Sequence, residues 1–154
     1  MTVLVTFDGV LRTSNGAANT DMITVCRSLA LHTPIRLMLD GDTGEAERWL
    51  ESRDLFKLFI GAIPSHVQRR SESLREDQLE AALPSGVRLV IDNDPAFIAY
   101  AMSRNVAGLL YCHPVFMPPE ARPDHRLKPW DALQKEIDKT VTKEDLASTK
   151  WEST

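Results

Sequence analysis

The stretch VLVTFDGVLR, residues 3–12, decides the fold class because a buried-strand pattern ends there in an abrupt loop. Residues 3–7 are apolar or β-branched, which is typical of a strand that is covered on both faces. Asp8 and Gly9 then end the strand and begin a loop. The stretch therefore predicts a buried strand with an acidic side chain directly at its carboxyl end.

Four further strands are predicted downstream, each an apolar run that is ended by turn residues. They cover residues 35–39, 58–63, 87–91 and 107–112. Aspartates follow three of the five predicted strands, at Asp8, Asp40 and Asp92. Because the carboxyl ends of parallel strands share one edge of a sheet, and ligands bind there, we expect these three side chains to converge in one crevice.

Helices are predicted between the strands from apolar residues at helical spacing and from polar capping residues. The first helix begins with Thr20 or Asp21 as its cap, and the second follows a capping box at residues 42–45. A third begins near Ser73, and a fourth covers residues 95–104. This alternation predicts right-handed βαβ units and a mainly parallel sheet covered by helices on both faces.

Length, charge and cysteine content exclude several classes of protein. A chain of 154 residues predicts a single domain at residues 1–140, followed by a polar, flexible tail at 141–154. The net charge of −4 provides no basic face for nucleic acid or an anionic membrane. Since no membrane span or signal peptide is visible, and two cysteines build no disulfide framework, we expect a reduced, cytoplasmic protein.

The chain beyond Pro114 is rich in proline and is predicted to run over the surface before a last helix at about 131–140. Trp130 and Trp151 lie in this part of the chain. Aromatic side chains in such segments often dock onto the body of a protein or onto a partner. These two tryptophans are therefore candidate contacts to a partner protein.

Four stretches carry a resemblance to a known superfamily. VLVTFDGVL, IRLMLDGD, REDQLEAAL and VRLVIDNDPAFIAYAMSRNVAG occur in the order found in the haloacid dehalogenase-like (HAD) hydrolases. The resemblance implies a Rossmann-like three-layer α/β sandwich with a sheet of about five strands, and the short spacer after Leu11 resembles the capless branch. It also implies a Mg²⁺-dependent reaction in which a strand-end aspartate attacks phosphorus and forms an aspartyl-phosphate.

Thr6 is the main departure from the family pattern. The resemblance gives Asp8 the role of the acid/base and puts a nucleophilic aspartate at position 6, where this chain has threonine. A threonine hydroxyl is a poor nucleophile without an activating base, and a poor ligand for a hard cation. An alignment shifted so that Asp8 attacks conflicts with the spacing to Gly9-Val10-Leu11. We therefore interpret Asp8 as a vestigial acid/base and Thr6 as a β-branched strand residue.

The other motif positions each allow two interpretations. By resemblance, Asp40 and Arg75 bind the substrate phosphate, although Asp40 stands where a Ser or Thr is expected and would repel an anion. Alternatively, Asp40 belongs to a tight turn and Arg75 is a solvated helix charge. By resemblance, Asp8, Asp92 and Asp94 hold Mg²⁺, whereas Asp94 before Pro95 is also typical of a helix N-cap.

The sequence thus predicts a pseudo-phosphatase, a catalytically impaired HAD-like protein that acts as a binding or interaction module for an unidentified protein partner. The alternative is a residual Mg²⁺-dependent phosphomonoesterase that acts on nucleotides or nucleic-acid ends. This alternative depends on the stretch VIDNDPAFIAYAMSRNVAG, which resembles the phosphatase half of polynucleotide kinase-phosphatases. In that case Asp8, Asp92 and Asp94 are the working carboxylates.

Overall fold

The structure of the protein, a computed structural model, describes residues 1–112 together with Lys135 and Ile137. Strands and helices alternate along the described residues, as the sequence predicts. The elements are β1 (Thr2–Thr6), α1 (Thr20–Ala30), β2 (Ile35–Met38), α2 (Thr43–Ser52), β3 (Gly61–Ile63), α3 (Leu74–Ala82), β4 (Val87–Asp92), α4 (Pro95–Ser103) and β5 (Ala107–Leu110).

The five strands pair in parallel and form one sheet in the order β3-β2-β1-β4-β5. β1 lies at the centre, with Val5 opposite Leu37 of β2 and Ile91 of β4. The chain moves outward from β1 to β3 and then crosses back to β4, so the strand order reverses beside β1. A reversal of this kind opens a crevice at the carboxyl ends of the two strands, here β1 and β4.

Two buried apolar clusters lie on opposite faces of the sheet, because successive side chains of a strand alternate between its faces. Val3 and Val5 of β1 pack with residues of α1 and α2, whereas Leu4 packs with residues of α3 and α4. The helices therefore form one layer on each face of the sheet. The predicted Rossmann-like three-layer α/β sandwich is confirmed.

The start of α1 differs from the prediction. Asn19, rather than Thr20 or Asp21, is the N-cap residue, with extended backbone angles and no side-chain cap hydrogen bond. Its amide Nδ2 instead donates to the carbonyl oxygen of Val10, at 2.9 Å, and to the hydroxyl of Tyr111, at 2.5 Å. The buried Asn19 side chain thus joins the loop after β1 to the end of β5, a long-range contact that local capping preferences do not report.

The other helix starts follow the predicted chemistry. Asp42, Ser73 and Asp94 each accept a first-turn backbone N–H through their side chains, at 2.9, 3.3 and 3.0 Å. The predicted third strand is shortened, since Phe56–Leu58 forms a 3₁₀ turn and only Gly61–Ile63 pairs with β2.

Several predictions concern residues outside the described part of the chain: the proline-rich run after Pro114, the tryptophans at 130 and 151, and the tail at 141–154. Within the predicted last helix at 131–140, the two described residues, Lys135 and Ile137, are helical.

No helix among the described residues is long and apolar enough to cross a lipid bilayer. Cys26 and Cys112 are free thiols, and burial raises the pKa of Cys26 to about 12.

The contact between β5 and α4 provides a test of the packing on one face of the sheet. A Cβ atom at Gly108 would come within 2.8 Å of Cγ2 of Ile98, which is buried and stiff because it is β-branched. We expect Gly108→Ala to lower the free energy of unfolding by about 1–3 kcal/mol in urea denaturation. Gly41→Ala is the matched control, because no heavy atom lies within 4 Å of the added carbon there. Equal effects of the two substitutions would contradict the packing.

Candidate functional site

The candidate site is the crevice between the carboxyl ends of β1 and β4. Thr6 ends β1 and Asp92 ends β4, and the loops that follow these strands touch each other. Gly9 has a φ of 94°, and a Cβ atom there would lie 2.8 Å from Nδ2 of Asn93. Glycine is therefore required at position 9 both by the backbone conformation and by the close approach of the two loops.

Thr6 and Asp92 are almost completely buried, with 1% and 2% of their surface exposed. Asp92 Oδ1 accepts the backbone N–H of Asn93 at 2.6 Å. Among the described residues, Thr6 Oγ1 and Asp92 Oδ2 have no hydrogen-bond partner of good geometry. No hydrogen bond of good geometry therefore links the hydroxyl of Thr6 to a general base among the described residues.

Burial raises the pKa of Asp92 to about 6, because the charged carboxylate is removed from water. The positive charge of Arg75 and the N–H of Asn93 oppose this rise, and the Thr6 hydroxyl lies near enough to oppose it as well. The negative charge of Asp94 adds to the rise. Asp92 is therefore a carboxyl group whose charge depends strongly on its cationic neighbour.

That neighbour is Arg75, which projects from the first turn of α3. Its Nη2 lies 2.8 Å from Oδ1 of Asp40, and its Nε lies 3.6 Å from Oδ2 of Asp92. Only 12% of its side chain is exposed. The structure thus brings Asp40, Arg75 and Asp92 together, and Arg75 is an internal counter-ion rather than a solvated helix charge.

Gln78 holds Arg75 in this position and was not identified from the sequence. Its side chain is completely buried, and its Oε1 accepts from Nη1 of Arg75 at 2.6 Å. Its Nε2 donates to the carbonyl oxygens of Leu39, Ile63 and Pro64, at 2.7, 3.2 and 3.1 Å. Gln78 therefore ties α3 to the carboxyl ends of β2 and β3. The signal available in the sequence is its i,i+3 spacing from Arg75 on one helix face.

Asp8 has its own arginine, Arg12, which was also not identified from the sequence. Nε of Arg12 lies 2.8 Å from Oδ1 of Asp8, and its Nη1 lies 2.5 Å from Oε1 of Glu45. The guanidinium stacks over the ring of Phe7, 4.4 Å from the ring centroid, with Trp49 also nearby. Burial lowers the pKa of Arg12, but the hydrogen bonds to the two carboxylates outweigh it and leave that pKa raised.

Asp94 is exposed and uses Oδ1 to cap α4 through the N–H of Ala96. This contact supports the interpretation of Asp94 as the N-cap residue of α4. Across residues 1–112, Lys135 and Ile137, no three His, Cys, Asp or Glu side chains are grouped so that they could hold a metal ion. The structure thus does not gather Asp8, Asp92 and Asp94 into a metal site.

The residues present do not fit the magnesium ion that the resemblance implies. Mg²⁺ is bound in proteins by carboxylate oxygens together with water. Here Asp8 is paired with Arg12, and both Asp40 and Asp92 face Arg75. Each of these carboxylates already has a cation from the chain itself.

An open cleft of about 380 Å³ adjoins Asp8 and is lined by the loop at residues 8–16.

The chain matches no protein-family model, no curated protein and no solved structure at a significant level.

The raised pKa of Asp92 predicts a pH-dependent contribution to stability. A carboxyl group whose pKa is raised in the folded state stabilises that state fully at a pH below the ordinary pKa of 3.8. This stabilisation is lost as the pH rises through about 6. The rise of the pKa from 3.8 to about 6 corresponds to roughly 3 kcal/mol. We expect the free energy of unfolding of the wild type, measured relative to Asp92→Asn, to fall by up to about that amount between about pH 4 and about pH 7. A difference that stays constant over this range in urea denaturation would contradict the raised pKa.

The role of Gln78 predicts a large loss of stability when its amide is removed. Gln78→Met keeps the length of the side chain but leaves buried carbonyl groups without their donor, so we expect a loss of about 2–4 kcal/mol in urea denaturation. Gln68→Met is the matched control, since Gln68 is exposed, and we expect a change within about 0.5 kcal/mol. Similar stabilities for the two variants would show that the Gln78 amide does not hold the strand ends.

Proposed function

We propose that this chain is a catalytically impaired binding protein on a phosphatase-like scaffold, and that it acts through a protein partner. The observation that carries the proposal is the side chain at the end of β1. Thr6 is a buried hydroxyl, and it makes no hydrogen bond of good geometry to a base among the described residues. Attack on phosphorus by this residue would need such a base.

The pairing of the crevice carboxylates supports the same proposal. An acid/base residue must bring a carboxyl oxygen to its substrate in order to exchange a proton. Oδ1 of Asp8 lies 2.8 Å from Nε of Arg12. A leaving group would therefore have to compete with Arg12 for this oxygen.

The charge around the crevice also disfavours a phosphate ligand. Arg12 and Arg75 are each engaged by two carboxylates, Asp8 and Glu45 in one case and Asp40 and Asp92 in the other. Each guanidinium is thus held by two carboxylates, whose negative charge repels an incoming anion. A phosphate would have to displace these carboxylates before it could bind.

The described surface carries apolar residues of the kind found in contacts between proteins. Phe56 and Ile60 are 43% and 64% exposed. They border an apolar groove of about 170 Å³ between α2 and the edge strand β3. Contiguous apolar surface on a monomer often marks a contact site, which is consistent with a binding protein.

One observation favours the alternative, a residual Mg²⁺-dependent phosphomonoesterase for nucleotides or nucleic-acid ends. The side chain of Asp8 is 34% exposed and adjoins the open cleft at residues 8–16, so a ligand in the cleft can reach it. In this alternative Asp8, Asp92 and Asp94 would be the working carboxylates. The arginine pairs would then have to open when substrate binds.

A phosphatase assay separates the two functions. The wild type is assayed with Mg²⁺ against a nitrophenyl phosphate ester, a nucleoside monophosphate and a 5′- and a 3′-phosphorylated oligonucleotide, with Asp8→Asn as the matched control. We expect both proteins to show the same background rate, because Asp8 is not used as an acid or base. Turnover in the range of about 1–10³ s⁻¹ that disappears in Asp8→Asn would overturn the proposal.

The Thr6 position predicts the outcome of a repair experiment. Thr6→Asp restores a carboxylate at the end of β1, but Asp40 and the two arginine pairs remain in place. We therefore expect the phosphatase activity of Thr6→Asp with Mg²⁺ to stay at the background of the wild type. Phosphatase activity at an ordinary enzymatic rate in this single variant would show that the pairs do not block the site.

A further inference from the structure

We infer that the guanidinium of Arg75, held between Asp40 and Asp92, occupies the place of a divalent cation, so that the crevice binds no such cation until this arginine is removed. Ion binding at this crevice does not depend on whether the protein turns over a substrate.

The contacts of Arg75 use every nitrogen of its guanidinium. Nη1 donates to Gln78 at 2.6 Å, Nη2 lies 2.8 Å from Asp40, and Nε lies 3.6 Å from Asp92. A planar guanidinium presents its donors in a fixed fork, so it can face two carboxylates at once. One cation of the chain thereby bridges the carboxyl groups that follow β2 and β4.

A cation is needed at this point because Asp92 is buried. Only 2% of its surface is exposed, and its Oδ2 has no hydrogen-bond donor of good geometry among the described residues. A buried charge that has no counter-ion is strongly unfavourable. Removing Arg75 would therefore leave Asp92 to take up a proton or, together with Asp40, another cation, and carboxylate oxygens are the ligands that Mg²⁺ prefers.

Arg75 is also fixed in place, so that a metal ion does not displace it readily. Its side chain is 12% exposed, and Gln78, which holds it, is completely buried and bonded to three backbone carbonyls. Mg²⁺ gives up its water reluctantly, and often needs only one or two carboxylates together with retained water. Two carboxylates released from arginine are thus enough for a weak site, whereas the paired carboxylates are not.

The test is thermal unfolding of the whole chain with increasing MgCl₂, compared with NaCl at the same ionic strength. Arg75→Met removes the charge and keeps an unbranched apolar stem. Arg104→Met is the matched control, because it also breaks an arginine–carboxylate pair, here between Arg104, which follows the last residue of α4, and Glu80 of α3. We expect no Mg²⁺-specific change in the Tm of the wild type or of Arg104→Met.

For Arg75→Met we expect a lower Tm without metal and a saturable rise with Mg²⁺. The rise should reach about 3–6 °C at a concentration about tenfold above the dissociation constant. A saturable Mg²⁺ shift in the wild type, or none in Arg75→Met, would overturn the inference. If Arg75→Met does not fold, Arg75→Gln is measured in the same way, since it keeps a polar group beside Gln78. All of these proteins are compared by their Tm alone, so the result does not depend on the phosphatase assay that tests the proposed function.

Discussion

The need to neutralise a carboxylate buried at the end of β4 shapes the crevice of this protein. Asp92 is placed there by the parallel register of β4 against the central strand, and water does not reach it. Arg75 supplies the opposing charge from α3, and Gln78 fixes Arg75 by joining that helix to the ends of β2 and β3. The charge balance of the crevice therefore depends on the packing of one helix against the sheet.

The same principle applies on the other side of the central strand. Asp8 follows β1 and is met by Arg12, whose guanidinium lies over Phe7 and also reaches Glu45 of α2. A crevice of this topology usually receives its ligand at the strand ends. In this chain, arginines from neighbouring elements already engage the carboxylates at those ends. The fold keeps the architecture of a ligand-binding edge, while its own side chains satisfy the charges found there.

Much of the architecture follows from the sequence because strands and helices have local signatures. The apolar run at residues 3–7 and the capping residues Asp42, Ser73 and Asp94 report their elements through short-range chemistry. The start of α1 was predicted less well, since Asn19 is committed to Tyr111, 92 positions away in the chain. The shortened β3 has a similar origin, because pairing with β2 rather than apolar content decides where a strand begins.

The candidate site was only partly predictable for the same physical reason. The aspartates at the strand ends follow from topology, because parallel strands end at one edge. Their partners follow from three-dimensional packing: Arg12 reaches Glu45 across 33 positions, and Gln78 reaches Leu39 across 39. The resemblance to the HAD hydrolases implies a site role for Arg75, but it does not report which nitrogen faces which carboxylate. The difference between a metal site and an arginine-filled site lies in those contacts.

A crystal structure grown with Mg²⁺ and a trigonal or tetrahedral phosphate mimic tests the account most directly. Our account predicts that Arg12 remains on Asp8, that Arg75 remains on Asp40 and Asp92, and that no metal ion lies between the ends of β1 and β4. A magnesium ion bound to Asp8 and Asp92, with either arginine turned away from its carboxylate, would contradict it.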